Sequence, residues 1–285
     1  MLRSTALLAV FLLAVSARPQ DLETNRISVD VNENEIKFET IEAKPAPEIT
    51  SNDASYGNAV DFSAPATSSI MACIKKAKYQ TVFVRAFTPA GSGAFDINAV
   101  NNIRLAYTAG LGIEVYMTPQ PVSSLQGWQQ LDALVQGLNQ NGITVRSVWI
   151  QVTSPANWPS NPTSNVNFIN SIASRARQSG LTVGIYTNQY DWSQITNNWS
   201  TIGSDVLLWY WHVLGAGVSG ETPATFADFR AFGGFKAASV KQYAQSEVVC
   251  QMTVNRDVYA VGIPSALSQL RTTADKRIIV GSIGL

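Results

Sequence analysis

"SVWIQVTSPANWPSNPTSNVNFINSIASRARQSGLTVGIYT", residues 147–187, sets two β-branched and aromatic runs, 147–153 and 182–187, on either side of one stretch of helical period. That stretch, "NVNFINSIASRARQSG" at 165–180, spaces its apolar residues three and four apart and closes on Gly180, as a helix C-terminus often does. Strand, helix and strand in so short a span predict a parallel pair joined by a crossover.

The same texture extends in both directions. Further runs lie at 59–63, 81–87, 113–119, 207–213, 239–244 and 251–255, and amphipathic stretches lie at 95–110 and 125–142, the latter also closing on glycine. Eight strand candidates alternating with helices predict an α/β fold, an irregular (β/α) barrel of TIM type; an open doubly wound sheet is the rival arrangement. Residues 222–234, "TPATFADFRAFGG", fit the repeat poorly and predict irregularity in the second half.

Four segments are expected. Residues 1–17, "MLRSTALLAVFLLAVSA", have the charged, apolar and small-residue regions of a secretory signal peptide, and the apolar run is too short to span a bilayer. Residues 18–55 are acid-rich and aromatic-poor, and read as a linker or pro-segment. Residues 56–260 form the barrel, and 261–285 an appendage. The expected location is extracellular, with no membrane partner.

Lysine plus arginine equal aspartate plus glutamate at 20 each, and only 14% of residues are charged, so the electrostatic footprint of a nucleic-acid binder is missing. A neutral surface rich in amides and hydroxyls suits a neutral polar ligand. Cys73 and Cys250, in a chain bound for an oxidising compartment, are expected to form one disulfide.

Both candidate folds bind ligands at the carboxyl ends of their strands. Those ends carry Asp61, Ser63, Arg85, Tyr116, Gln151, Thr153, Tyr186, Trp209, Trp211, Gln242, Tyr243, Asn255 and Asp257. Gln151 and Thr153 share a strand face, as do Trp209 and Trp211. Amides, hydroxyls and rings around one cavity suit a sugar.

Other motifs carry little. One histidine, His212, and two distant cysteines give no basis for a zinc site, and without a G-x-S-x-G elbow there is no serine-hydrolase pattern. "GAGVSG" at 215–220 lacks the following helix and acidic residue of a dinucleotide site, so it reads as a loop. No metal and no cofactor are expected. "NWS" at 198–200 makes Asn198 a glycosylation acceptor in an exported chain.

"VDFSAP" at 60–65, "FVRAFTPAGSGAFD" at 83–96, the Tyr-Met-Thr-Pro of 116–119, "SVWIQVTSPANW", "VGIYTNQYDW" at 183–192, "LLWYWHV", "FADFRAFGGF" at 226–235 and "KQYAQ" at 241–245 occur in one order. Together, from about Tyr56 to Tyr259, the chain resembles the family 25 glycoside hydrolases, specifically the protist-type lysozymes of amoebae and nematodes. The resemblance implies a distorted barrel whose groove binds peptidoglycan, with an Asp-x-Glu motif on the fourth strand whose glutamate gives the proton. Carried over by position, that aspartate falls on Gln151 and that glutamate on Thr153. The first-strand aspartate is kept as Asp61, and Tyr116, Tyr186, Trp209 and Gln242 match groove or strand-end positions. The family's Asp-x-Asn near the C-terminus is exchanged here to Asn255 and Asp257.

Glycoside cleavage needs a group that protonates the leaving oxygen and a carboxylate facing the developing oxocarbenium ion. An amide and a hydroxyl do neither near neutral pH. The expectation is therefore a secreted, monomeric lysozyme-like protein of defence or digestion that binds bacterial peptidoglycan, with Tyr116, Tyr186, Trp209, Trp211, Gln242 and Asp257 around the ligand and hydrolysis lost. The alternative is an active lysozyme using relocated carboxylates among Asp61, Glu114, Asp191, Glu221 and Asp257.

Overall fold

The computed structural model describes residues 45–47, 56–260 and 277–281. The signal-peptide segment, most of 18–55 and most of 261–285 lie outside the described residues.

All eight strand candidates form: β1 (Tyr56–Phe62), β2 (Thr81–Thr88), β4 (Gly112–Met117), β6 (Ser147–Gln151), β7 (Thr182–Thr187), β8 (Leu207–Trp211), β9 (Val240–Val249) and β10 (Met252–Ala260). A short β3 (Ala94–Phe95) folds back on β2. β1 pairs with β2 on one side and with β10 on the other, so the sheet closes into a barrel rather than staying open. Helices α1 (Ser68–Lys76), α2 (Asn98–Thr108), α3 (Gly127–Gln140) and α4 (Pro162–Gln178) are the crossovers of the first half, and a short α5 (Gln189–Thr196) links β7 to β8.

The helices form because their apolar residues make one stripe. In α4 the buried side chains are Asn165, Ile169, Ile172, Ala173 and Ala176, which pack on the outer face of the barrel. Asn161 caps its first turn through Ser164 N at 3.2 Å, Pro162 opens it, and Gly180 beyond it takes a φ of +71°. Outward strand residues such as Val82, Val84, Val148, Ile150, Val183 and Ile185 meet these helices in one large core. Inward residues Phe83, Tyr116, Trp149, Tyr186, Trp209 and Tyr259 make a second, aromatic core that fills the barrel. Gly184 permits that filling: a Cβ there would lie 2.0 Å from the Trp149 ring.

The second half departs from the repeat. No α-helix separates β8 from β9; Phe226, Phe229, Phe232 and Phe235 pack with Tyr210 and Trp192 on that outer face instead. Glycine-rich 215–220 is part of this loop and includes a 3-10 turn at Val218–Gly220. β10 is antiparallel to both neighbours, against the all-parallel expectation. Only Cys250 and Gln251 separate β9 from β10, both with positive φ, as a tight hairpin requires, whereas a parallel crossover needs a dozen or more residues.

Cys73 of α1 and Cys250 in that turn form the expected disulfide. β11 (Ile278–Val280) pairs in parallel with β5 (Ile143–Val145) beside the barrel. Ala46 is buried against the end of α1, its N–H donating to Ala77 O at 3.2 Å. Among the described residues no helix is long and apolar enough to cross a membrane.

Candidate functional site

Parallel strands β2, β4 and β6 end side by side, and the loops beyond them wall a cavity of about 580 Å³. Arg85, Thr118, Gln120, Gln151, Thr153 and Trp158 line it. Gln151 is the last residue of β6 and points inward, in step with Trp149 two residues earlier. Its Oε1 accepts from Thr118 Oγ1 at 2.6 Å, and its Nε2 donates to Thr153 Oγ1 at 3.0 Å. Ser154 then turns the chain with a φ of +58°, which brings Trp158 Nε1 to Thr153 O at 3.0 Å. Gln151 and Thr153 are thus a neutral, mutually hydrogen-bonded pair. Arg85 contributes the charge on this wall, and Asp96 accepts from its Nε at 2.8 Å.

The opposite wall carries the carboxyls. Asp61, 5% exposed, accepts from Gln242 Nε2 at 2.6 Å and from Asn255 Nδ2 at 3.0 Å. Asn255 is its partner across the β1–β10 ladder, and Asp257, two residues on, points to the same interior. Asp257 is fully buried and accepts from Trp209 Nε1 at 2.9 Å. Burial pushes Asp61 up to about 6 despite the hydrogen bonds from Asn255 and Gln242. Burial, and then the Asp61 charge, push Asp257 well above the usual carboxylate range. Burial and mutual repulsion thus oppose ionising both carboxyls of this pair at once.

The remaining expected residues fall into two levels. Tyr116, Tyr186, Trp209 and Gln242 form the floor: Trp209 is 1% exposed, its ring 4.3 Å from Tyr186 and 4.5 Å from Phe83. Tyr186 OH donates to Gln242 Oε1 at 2.8 Å, so Gln242 aims its amide nitrogen at Asp61. Glu114 is buried inside the barrel, where its Oε2 accepts from Ser147 Oγ at 2.7 Å and Trp149 Nε1 at 3.0 Å. Trp211 shares the face of Trp209 but stands higher and half-buried, its Nε1 donating to Asp191 Oδ2 at 3.3 Å. Burial raises the Asp191 carboxyl, opposed by Trp211 and the Ser154 backbone.

Beyond Trp211 lies a second cavity of about 520 Å³, whose lining includes Tyr190, Asn198, His212, Asp228, Arg230 and Phe232. Its hydrogen-bonded core escapes sequence reasoning. Asp228 accepts from Tyr210 OH at 2.6 Å, from buried Lys241 Nζ at 2.8 Å and from His212 Nδ1. Burial alone would push Asp228 up; these hydrogen bonds and the lysine charge hold it at about 2. A lysine inside "VKQYA" is the one signal that an acid must lie nearby. Among the described residues no group of three or more His, Cys, Asp or Glu side chains could hold a metal ion.

The first cavity, lined by amides, hydroxyls and Arg85 with no carboxyl, can hold a hydroxyl- and amide-bearing ligand, while Asp61 and Asp257 are buried. Residues 52–243 match the family model described as "Lysozyme-like protein 1". The chain is 64% identical to "Lysozyme-like protein 1" of Caenorhabditis elegans, over 99% of both chains. It is 30% identical to "Probable GH family 25 lysozyme 2" of Dictyostelium discoideum, over 70% of this chain and 89% of that one. Among solved structures, the autolysin LytC of Streptococcus pneumoniae in complex with a synthetic peptidoglycan ligand shares the fold, with a TM-score of 0.54 at 16% identity over 72% of this chain and 46% of that one.

Proposed function

We propose, for a chain that belongs to the lysozyme-like proteins of glycoside hydrolase family 25, that it is an exported protein which holds bacterial peptidoglycan in its barrel mouth without cleaving it. The observation that carries this reading is the Thr118–Gln151–Thr153 chain of hydrogen bonds, uncharged groups at the strand end to which the resemblance assigns the family's acids. General acid catalysis contributes roughly 10²–10⁴ to rate, and the missing carboxylate opposite the oxocarbenium ion removes more.

Relocated carboxylates are poorly placed to substitute. Asp61 and Asp257 are nearly or wholly closed to solvent; both oxygens of Asp61 accept from Gln242 and Asn255, and one oxygen of Asp257 accepts from Trp209. Glu114 lies inside the barrel, Glu221 is engaged by buried Arg256 at 2.6 Å, and Asp191 is 4% exposed and accepts from Trp211. Binding needs none of them. Gln151, Thr153, Gln120 and Arg85 offer donors and acceptors, and Trp158 and Trp211 offer apolar faces at the rim. The disulfide supports export, since such bonds persist in oxidising compartments.

The deciding experiment is co-sedimentation with insoluble bacterial peptidoglycan, followed by competition with soluble wall fragments. The protein should pellet with the wall and be released by the fragments. Protein that stays in the supernatant would remove the binding half of the reading.

A further inference from the structure

The second cavity has an acceptor for a sugar built into its own rim. Asn198 is exposed, lines the cavity, and begins the sequence Asn-Trp-Ser at 198–200. It follows α5 at a sharp turn: Asn197 and Asn198 have φ of +53° and +58°, and Asn197 N donates to Ser193 O at 3.0 Å. The rest of the turn is fixed from behind. Trp192 Nε1 donates to Trp199 O at 2.9 Å, Trp199 N to Thr196 Oγ1 at 3.2 Å, and Trp199 Nε1 to Thr201 Oγ1 at 2.7 Å. Asn198 itself has only a long, exposed contact, Nδ2 to Ser193 Oγ at 3.4 Å. Tyr190, an aromatic ring 66% exposed, also lines the cavity.

We propose that Asn198 carries an N-linked glycan in the exported protein and that its first N-acetylglucosamine lies in this cavity against Tyr190. The linkage forms when the Asn198 amide nitrogen displaces the diphosphate of a polyprenyl-diphosphate-linked oligosaccharide at the sugar's anomeric carbon. The C–O bond to the diphosphate breaks, the lipid diphosphate leaves, and the amide gives up one proton. A cavity of about 520 Å³ has the size of a small-molecule site, roughly 300–1,000 Å³. A sugar tethered at its rim experiences a millimolar or higher effective concentration, so a stacking contact too weak to capture a free monosaccharide is filled. Asn188, Gln189, Arg230 and the outer edge of His212 supply polar partners for its hydroxyls and acetamido group. The occupied cavity closes one side of the mouth, and the wall ligand then enters over the β2–β4–β6 side. This last consequence rests on the peptidoglycan-binding reading; the modification rests on export alone.

The test uses the full chain secreted from a eukaryotic host. Intact mass should show one glycan on the wild type and none on Asn198→Gln or Ser200→Ala. Under native conditions a glycosidase that cuts within the chitobiose core should release the glycan at least about tenfold faster from Tyr190→Ala than from wild type, the change expected for loss of one stacking contact of about 1.4 kcal/mol. After denaturation the two should be cut alike. An unmodified Asn198 in secreted protein overturns the proposal, and so does native release that is equally fast with and without Tyr190. Chitotetraose titration separates the two readings: tighter binding to Asn198→Gln than to glycosylated wild type supports closure of the cavity. No binding by either protein would count against the groove reading, while mass and native release still decide the glycan.

Discussion

The β6 mouth and the β1–β10 seam are two walls of one barrel, and they have treated their polar groups in opposite ways. At the mouth stand Gln151 and Thr153, open to the cavity and linked to Thr118. At the seam, Asp61 and Asp257 remain but are enclosed by Gln242, Asn255 and Trp209. The mouth is accessible and lacks a carboxyl; the seam has carboxyls and lacks access. Glycoside cleavage requires both properties in one place, and this separation is the ground of the proposal that the groove binds without cleaving.

The largest effect comes from restoring charge to the accessible wall. Gln151→Asp with Thr153→Glu places a carboxyl pair on the β6 face above Asp61, and hydrolysis of peptidoglycan should rise about 10²–10⁴-fold over wild type. An inert double variant that still folds and binds would mean the difference between the walls is more than two side chains.

Aromatic substitutions separate floor from rim. Trp209→Ala empties the centre of the barrel and should cost about 3–5 kcal/mol of stability. Trp211→Ala should leave stability near wild type and weaken retention on peptidoglycan by about tenfold or less, the effect of about 1.4 kcal/mol. Equal losses of stability in the two would erase the distinction between the levels.

The seam has its own signature in pH. Folded Asp61 takes up a proton near pH 6, whereas in the unfolded chain it does so near the ordinary 3.8. The folded state therefore binds protons first as pH falls, and stability rises between pH 7 and pH 4 by up to about 3 kcal/mol. Asp228, held at about 2, loses its stabilising charge only as the pH falls below 3.8, outside that window. Thermal unfolding of wild type should shift upward on acidification to pH 4.5, and Asp61→Asn should reduce that shift, leaving the part that the raised Asp257 and Asp191 contribute. A midpoint that falls instead would show that Asp61 is stabilised as a carboxylate.

The barrel was legible because its cause is periodic. Branched runs such as "SVWIQVT" and the three-and-four spacing of α4 declare strand and helix locally. The antiparallel β10 was not, because nothing in "VVCQMT" marks a hairpin: the turn uses Cys250 and Gln251 at positive φ, where glycine or asparagine is the usual sign. Alternation put Trp209 and Trp211 on one face, as found, but could not say which lies under the other, since depth depends on the rings of five other strands. Gln151 and Thr153 were readable as a shared face, and their hydrogen bond follows from it. The Asp228–Lys241–His212 cluster was invisible because its members come from β9, the end of β8 and the irregular loop between them, which no periodicity aligns.

The most direct measurement is the release of reducing ends from purified peptidoglycan by the wild-type protein, followed over hours near neutral pH with the Gln151→Asp, Thr153→Glu variant alongside. Wild type should stay at the rate of buffer while the variant releases fragments. Turnover by the wild type that disappears in Asp61→Asn would contradict the assignment and make the enclosed seam the catalytic wall.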